Sequence, residues 1–357
     1  MKSMSDITAA NDAVITKETT DAWGVSPVVE VYSPDLVGGT HPGGRHVAGS
    51  SGASSGDGSN PGLRPSSSFL PGGSAHPGLL SVGFEAMTTT VNMWLESAGP
   101  EAAQALLDAR HETLLFAHRF SRFQPDSELM ELNRRAGLGP TKVSRQLFLL
   151  VRASLELARQ SRGLVDPTVL PTLVRLGYGD GPSDGSADYT VVTLDEQAET
   201  VELPTGYALD LGGVAKGWLA NALSRRLGQL GSCLIDIGGD LQAFGEASWT
   251  VEIENPFAPC ETLCEFELKN RGVATSSVLK RRWGSGRHHL IDPRSGLPVE
   301  SDLVSATVVA ETALVAEGEA KTVLMLGLQA GTQWMVGRGL SGALVGDDGL
   351  VRRVGLS

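Results

Sequence analysis

The chain has 357 residues, 41% hydrophobic and 20% charged, with a formal net charge of −12. That is enough apolar material for one large domain or two small ones, and the negative balance weighs against duplex nucleic acid as a partner. Three cysteines, Cys233, Cys260 and Cys264, form no C-x-x-C pair, so neither a disulfide framework nor a structural zinc site is expected.

The first stretch, Met1-Lys2-Ser3-Met4-Ser5-Asp6, lacks the apolar core of a secretory signal, and no cysteine lies near it to take a lipid. No window offers the roughly twenty apolar residues that span a bilayer. A cytoplasmic protein without a transmembrane segment is therefore expected. From Gly38 to Gly78 the residues are mostly Gly, Ser, Pro and His. Such a tract buries too little apolar surface to offset its ordering entropy, so residues 1–80 read as a disordered tail. His41, His46 and His76 are too widely spaced within it for a metal tract.

The folded part, residues 81–357, opens with a β-branched run read as one strand over 84–95. Pro100 starts a helix at its favoured position, running to about Phe120. The loop 120–129 follows, with Asp126 or Ser127 available to cap a short helix ending near Asn133. A second long helix starts at Ser144, carries Phe148, Val151, Leu155 and Ala158 at helical spacing, and stops at Gly163. Then come a turn at Asp166-Pro167-Thr168, a Gly/Ser/Asp loop over 180–188, and a hairpin from 189–194 and 199–203.

The stretch Asp210-Leu211-Gly212-Gly213-Val214-Ala215-Lys216-Gly217 organises the chain. An apolar run leads in, and Leu219, Ala222, Leu223, Leu227 and Leu230 follow at helical spacing. A glycine turn feeding a helix offers unpaired N–H groups at the positive end of the helix dipole, which suits a phosphate or pyrophosphate. Lys216 adds a full charge. The order is neither that of a Walker loop nor the dinucleotide G-x-G-x-x-G. Past this helix the chain turns strand-rich, at 233–237, 249–254, 263–268, 272–275 and 304–310, and a last long helix is read from Ala313 to Leu326.

Ser127-Glu128 with Asn133, Asp166-Pro167-Thr168, Asp210–Gly217, Ile237-Gly238-Gly239-Asp240, Ala274-Thr275-Ser276 and His289-Leu290-Ile291-Asp292-Pro293-Arg294-Ser295-Gly296 occur in this order. Each piece is short; their succession over residues 83–355 resembles the ApbE family, the FAD:protein FMN transferases. The resemblance implies an α+β, T-fold-like architecture of antiparallel sheets with flanking helices. It also implies FAD as substrate, magnesium as cofactor, and transfer of FMN to a threonine hydroxyl of an acceptor protein. The alternatives are an FAD-binding protein with little transfer activity and an FAD pyrophosphatase. Carried over, Met87, Glu128, Asp210, Gly212, Gly213, Lys216, Asp240, Thr275, His289 and Asp292 are the cofactor-binding set. Lys216 and His289 are the catalytic candidates, with His289 taking the threonine proton.

The family's magnesium-holding A-D-x-x-x-T is Ala316-Glu317-Gly318-Glu319-Ala320-Lys321 here. The metal set implied is therefore Gly213, Glu317 and, at the threonine position, Lys321, whose ammonium adds charge where a hydroxyl ligand is expected. Glu317 and Lys321 also have the spacing of a helix-surface ion pair. Thr88 after Met87 and Ser277 after Ala-Thr-Ser replace usual glycines, and Ser295 replaces a threonine.

Overall fold

A computed structural model of the chain describes residues 29–32, 63–65, 78–181, 183–258, 261–284 and 287–356. The Gly/Ser/Pro tract with His41, His46 and His76 lies outside them apart from Leu63–Pro65 and Gly78, as does Cys260. Within the span read as a tail, the backbones of Val29–Tyr32 and Leu63–Pro65 pair with strands of the folded body.

Among the described residues the largest sheet has nine strands. Their spatial order is Val29–Tyr32, Leu79–Ala86, Thr89–Glu96, Ser232–Ile237, Asp240–Phe244, Gly272–Ser277, Leu303–Ala310, Ser341–Gly346 and Val351–Val354. Every neighbouring pair runs antiparallel. A three-stranded sheet of Thr262–Leu268, Trp249–Glu254 and Leu63–Pro65 accompanies it. The helices are α1 (Glu101–Arg119), α2 (Glu128–Arg134), α3 (Arg145–Gln160), α4 (Leu170–Arg175), α5 (Ala215–Leu227) and α6 (Ala313–Gly337).

Side-chain alternation explains the layering. Along Thr89–Glu96, Val91, Met93 and Leu95 are fully buried in the core shared with α1, α3 and α5, while Trp94 points the other way onto the cluster around Trp249. Leu303–Ala310 is buried throughout. Its Ala306 and Val308 meet α6 side chains, and Val309 joins the Trp249 cluster. The strand is covered on both faces, and of its two polar residues, Ser305 and Thr307, the latter meets the Thr275 hydroxyl at 2.8 Å.

Three sequence expectations change. The hairpin read from 189–194 and 199–203 is shorter, pairing Thr193–Asp195 with Thr200–Glu202, and Tyr189–Val191 is a 3-10 turn. The single strand over 84–95 is a hairpin, turning at Met87 and Thr88 with φ of 54° and 59°. Both central residues of this tight turn are left-handed, a conformation usually supplied by Asn or Gly, so nothing local announced it. The last helix continues past Leu326, but Gly327 breaks it with φ 76°, and Asp302 Oδ1 accepts the Leu328 N–H at 2.8 Å to restart it. Of the two candidates Asp126 and Ser127 it is Ser127 that caps α2, accepting from the Met130 N–H, and Ser144, where the next helix was expected to start, caps α3 by accepting from the Leu147 N–H. The strands Asp240–Phe244, Ser341–Gly346 and Val351–Val354 and the short α4 have no counterpart in the sequence reading. No described helix is long and apolar enough to cross a membrane.

Candidate active site

The paired-glycine turn delivers α5, and α5 meets α6 where both begin. A Cβ on Gly217 would lie 2.7 Å from the Ala313 carbonyl oxygen and 2.8 Å from Leu314 Cα. Glycine is therefore the residue that lets the two helix starts touch. The consequence is electrostatic. Gly217 N–H donates to Glu317 Oε2 at 3.0 Å, so an α6 carboxylate sits at the positive end of α5. The other oxygen of Glu317 is 3.1 Å from Lys321 Nζ and 3.7 Å from Lys216 Nζ. Lys216 also pairs with Asp240, which is almost fully buried. Two lysines and two carboxylates thus form one buried network.

The pKa shifts follow from that network. Burial pulls Lys216 down, but the Asp240 and Glu317 carboxylates outweigh it and leave the ammonium raised above its ordinary value. Burial opposes the Glu317 charge, but Lys321 and Lys216 outweigh it and leave its pKa lowered. Burial pushes Asp240 up to about 6 despite the attraction of Lys216. His289 is held well below its ordinary value, first by burial and then by the positive charges of Arg281 and Lys321. Its imidazole is therefore neutral near pH 7, and its Nδ1 has no hydrogen-bond partner among the described residues.

These groups open onto a cavity of about 400 Å³. Met87, Asp210, Gly212, Gly213, Lys216, His289 and Lys321 all line it, so the glycine turn and the histidine converge on one pocket. Thr88, Asp166 and Arg281 join its wall. Asp166, raised by burial, is held by the N–H groups of Thr168 at 2.8 Å and Tyr189 at 3.0 Å.

The remaining predicted residues are placed elsewhere. Glu317 and Asp240 lie behind the lysines. Thr275 shares a 2.8 Å hydroxyl contact with Thr307 across the strand pair. Glu128 accepts from the Ser144 N–H at 2.6 Å and pairs with Arg119. Asp292 is engaged by Arg294, which lowers its pKa.

The turn also behaves differently from its sequence reading. The Gly212 N–H goes to Asp210 Oδ1 at 2.8 Å, and those of Val214 and Ala215 go to Leu211 O. With Gly217 N–H on Glu317, positive charge reaches the pocket mainly through side chains.

Sequence reading also missed an aromatic and arginine wall. Arg122 is sandwiched between Phe123 and Tyr178, its guanidinium 4.2 and 4.6 Å from their ring centres. Tyr178 stacks on Trp283 at 4.4 Å. The Arg122 side chain is only 5% exposed and its Nε lies 3.4 Å from Asp210. Its Nη2 has no partner among the described residues. The sequence carried one faint signal, an arginine set between Phe120 and Phe123.

Gly213, Glu317 and Lys321 do come together, but as an ion-paired lysine lying over a glycine. A Cβ on Gly213 would be 3.4 Å from Lys321 Cε. Magnesium takes near-octahedral oxygen ligands. Here both carboxylates are engaged by ammonium groups, and the hydroxyl expected on α6 is itself an ammonium. Among the described residues no group of three or more His, Cys, Asp or Glu is placed to hold a metal. This donor set does not fit the ion.

In this antiparallel α+β body one pocket brings Arg122, Lys216, Arg281 and Lys321 together with Asp166, Asp210 and a neutral histidine. The ApbE family profile matches residues 87–343, and the chain belongs to that family. It is 32% identical over 237 residues to the FAD:protein FMN transferase of Klebsiella pneumoniae strain 342, covering 61% of this chain and 72% of that one. It is 29% identical over 276 residues to the Escherichia coli K12 protein of the same name, covering 70% and 77%. Among solved structures it resembles the ApbE protein of Thermotoga maritima, with a TM-score of 0.69, 22% identity and 77% and 96% coverage. It also resembles the apo flavinyl transferase ApbE of Pseudomonas stutzeri, with a TM-score of 0.68, 22% identity and 78% and 94% coverage.

Proposed function

We propose that this chain is an FAD:protein FMN transferase acting on a threonine hydroxyl of an acceptor protein. One observation carries the reading. A single cavity joins the glycine turn, the lysines of α5 and α6, and a neutral imidazole with an unpartnered nitrogen. In this reading the cations Lys216, Lys321 and Arg281 neutralise the FAD diphosphate. The threonine oxygen bonds to the FMN phosphorus, the bridging P–O bond to the adenylate half breaks, and AMP leaves. The hydroxyl proton passes to His289 Nδ1. Positioning and charge neutralisation supply most of the acceleration in phosphoryl transfer, and a positioned base adds about 10²–10⁴-fold. The family resemblance also implies magnesium. The engaged carboxylates do not fit it, and the neutralising charge comes from the protein's own cations.

The test is incubation of the purified chain with FAD and an acceptor domain, read as in-gel flavin fluorescence and as released nucleotide. Covalent flavin on the acceptor threonine, lost on Thr→Ala substitution of that acceptor, is the expected result. Free FMN and AMP without labelling would make the protein a pyrophosphatase, and bound, uncleaved FAD would make it a binding protein.

A further inference from the structure

We propose that Lys321, anchored by Glu317, replaces the divalent cation in this pocket, so that FAD is bound and its diphosphate neutralised without a metal ion. The inference rests on the reading of the pocket as an FAD site and adds how its charge is supplied.

Three observations carry it. First, Lys321 is fixed. Its Nζ is 3.1 Å from Glu317 Oε1 and 3.4 Å from the Glu317 carbonyl oxygen, one turn back on the same helix. Its side chain is 12% exposed, and its stem lies along Gly213. A lysine free to swing into solvent would not act as a resident charge; this one is packed against the turn that lines the cavity. Second, the oxygens a metal would need are used. Glu317 Oε2 takes the Gly217 N–H, its Oε1 faces two ammonium groups, and Asp240 holds Lys216. A divalent ion would have to displace these contacts beside two fixed positive charges, against like-charge repulsion. Third, the compensation is incomplete in a way that suits an anion. Lys216, Lys321 and Arg281 line the cavity, whereas the carboxylates Asp240 and Glu317 are buried behind them; Asp210 and Asp166 also line it, but Asp210 is paired with Arg122 and the Gly212 N–H, and Asp166 is held by the Thr168 and Tyr189 N–H groups. The network keeps its negative charge in the wall and shows its positive charge to the ligand. An ammonium is a compact point charge with three donors, which suits phosphate oxygens.

The experiment uses the full chain, FAD and MgCl₂. FAD affinity is measured by flavin fluorescence in EDTA and in millimolar MgCl₂, and magnesium binding to the FAD-free protein by calorimetry. The expected result is FAD affinity that changes less than about twofold between the two buffers, with no magnesium heat attributable to the pocket. Lys321→Thr, which restores a hydroxyl, is expected to lose about tenfold or more in FAD affinity in EDTA, the loss of one charged contact. It is expected to regain affinity in magnesium. Should Lys321→Thr not fold, as judged by circular dichroism, the wild-type comparison decides alone. Wild-type affinity that collapses tenfold in EDTA and returns with MgCl₂ overturns the inference while leaving the FAD site intact. Failure to bind FAD in either buffer removes the site reading and this inference with it.

Discussion

Glu317→Gln isolates the charge on which the network turns. The amide keeps nearly the same shape, and its oxygen can still accept the Gly217 N–H that Glu317 takes at 3.0 Å. What disappears is one negative charge 3.1 Å from Lys321 and 3.7 Å from Lys216. Coulomb's law at an effective dielectric constant of about 20 makes those two attractions worth about 10 kcal/mol together before desolvation is counted. Desolvation of the carboxylate and the lysines offsets much of that. Removing one partner of a buried pair costs about 3–5 kcal/mol, because the other charges stay buried without compensation. The expected outcome is a drop of that size in unfolding free energy from urea titrations followed by tryptophan fluorescence. FAD should recover part of it, because its diphosphate becomes the counter-ion the lysines have lost. Saturating FAD should therefore raise the urea midpoint more in the variant than in the parent. A loss below about 1 kcal/mol, or equal FAD shifts in both proteins, would refute the network as described.

His289→Ala should cut transfer by about 10²–10⁴-fold while FAD still binds, read by labelling rate against flavin fluorescence. Because His289 titrates well below 6.5, the parent's rate should stay level as pH falls from 8 through 6.5; a loss centred at 6.5 would contradict the assignment. Asp236 is buried and its carboxyl is pushed up to about 7 from 3.8. The folded state then holds an extra proton across that window, so this group contributes stability at low pH that is lost as pH rises towards 7, on the order of 4 kcal/mol. Asp236→Asn, whose oxygen can still accept the Gly239 N–H, should flatten that slope in urea titrations run from pH 4 to 7. Thr88→Gly should stabilise the chain by about 0.5–1 kcal/mol, since a β-branched residue at φ 59° is strained, and a lowered melting temperature would count against that.

What could be read from the sequence was local. Ser127 and Ser144 cap their helices through the next turn, and the glycine turn before Ala215 feeds α5 as its spacing indicated. His289 and the turn meet in one cavity because the motif order carried fold-level information that no single residue did. What was hidden depends on distance along the chain. Gly217 and Glu317 are 100 positions apart, and Arg122 reaches the Tyr178 carbonyl oxygen across 56. No periodicity encodes such pairs. The hairpin at Met87-Thr88 was hidden for another reason: its left-handed residues are not the glycine or asparagine that mark such turns.

Gly217 shows how a correct motif can be given an incomplete cause. In the sequence the glycines of 212–217 suggest backbone amides aimed at a phosphate. In the fold, Gly217 faces the start of α6, and its missing side chain is what brings Glu317 within 3.0 Å of its own N–H. The helix dipole is met by a protein carboxylate, and that carboxylate in turn holds Lys321 and faces Lys216. In the proposed reading an anion would therefore meet ammonium groups rather than these backbone amides. This also gives the glutamate at 317 a physical reason. Its extra methylene over aspartate lengthens the reach from α6, and the observed contacts span both the α5 amide and two lysines at once. A lysine at 321 without that longer carboxylate would be a buried charge with too little compensation, so Glu317 and Lys321 are best understood as one substitution in two positions.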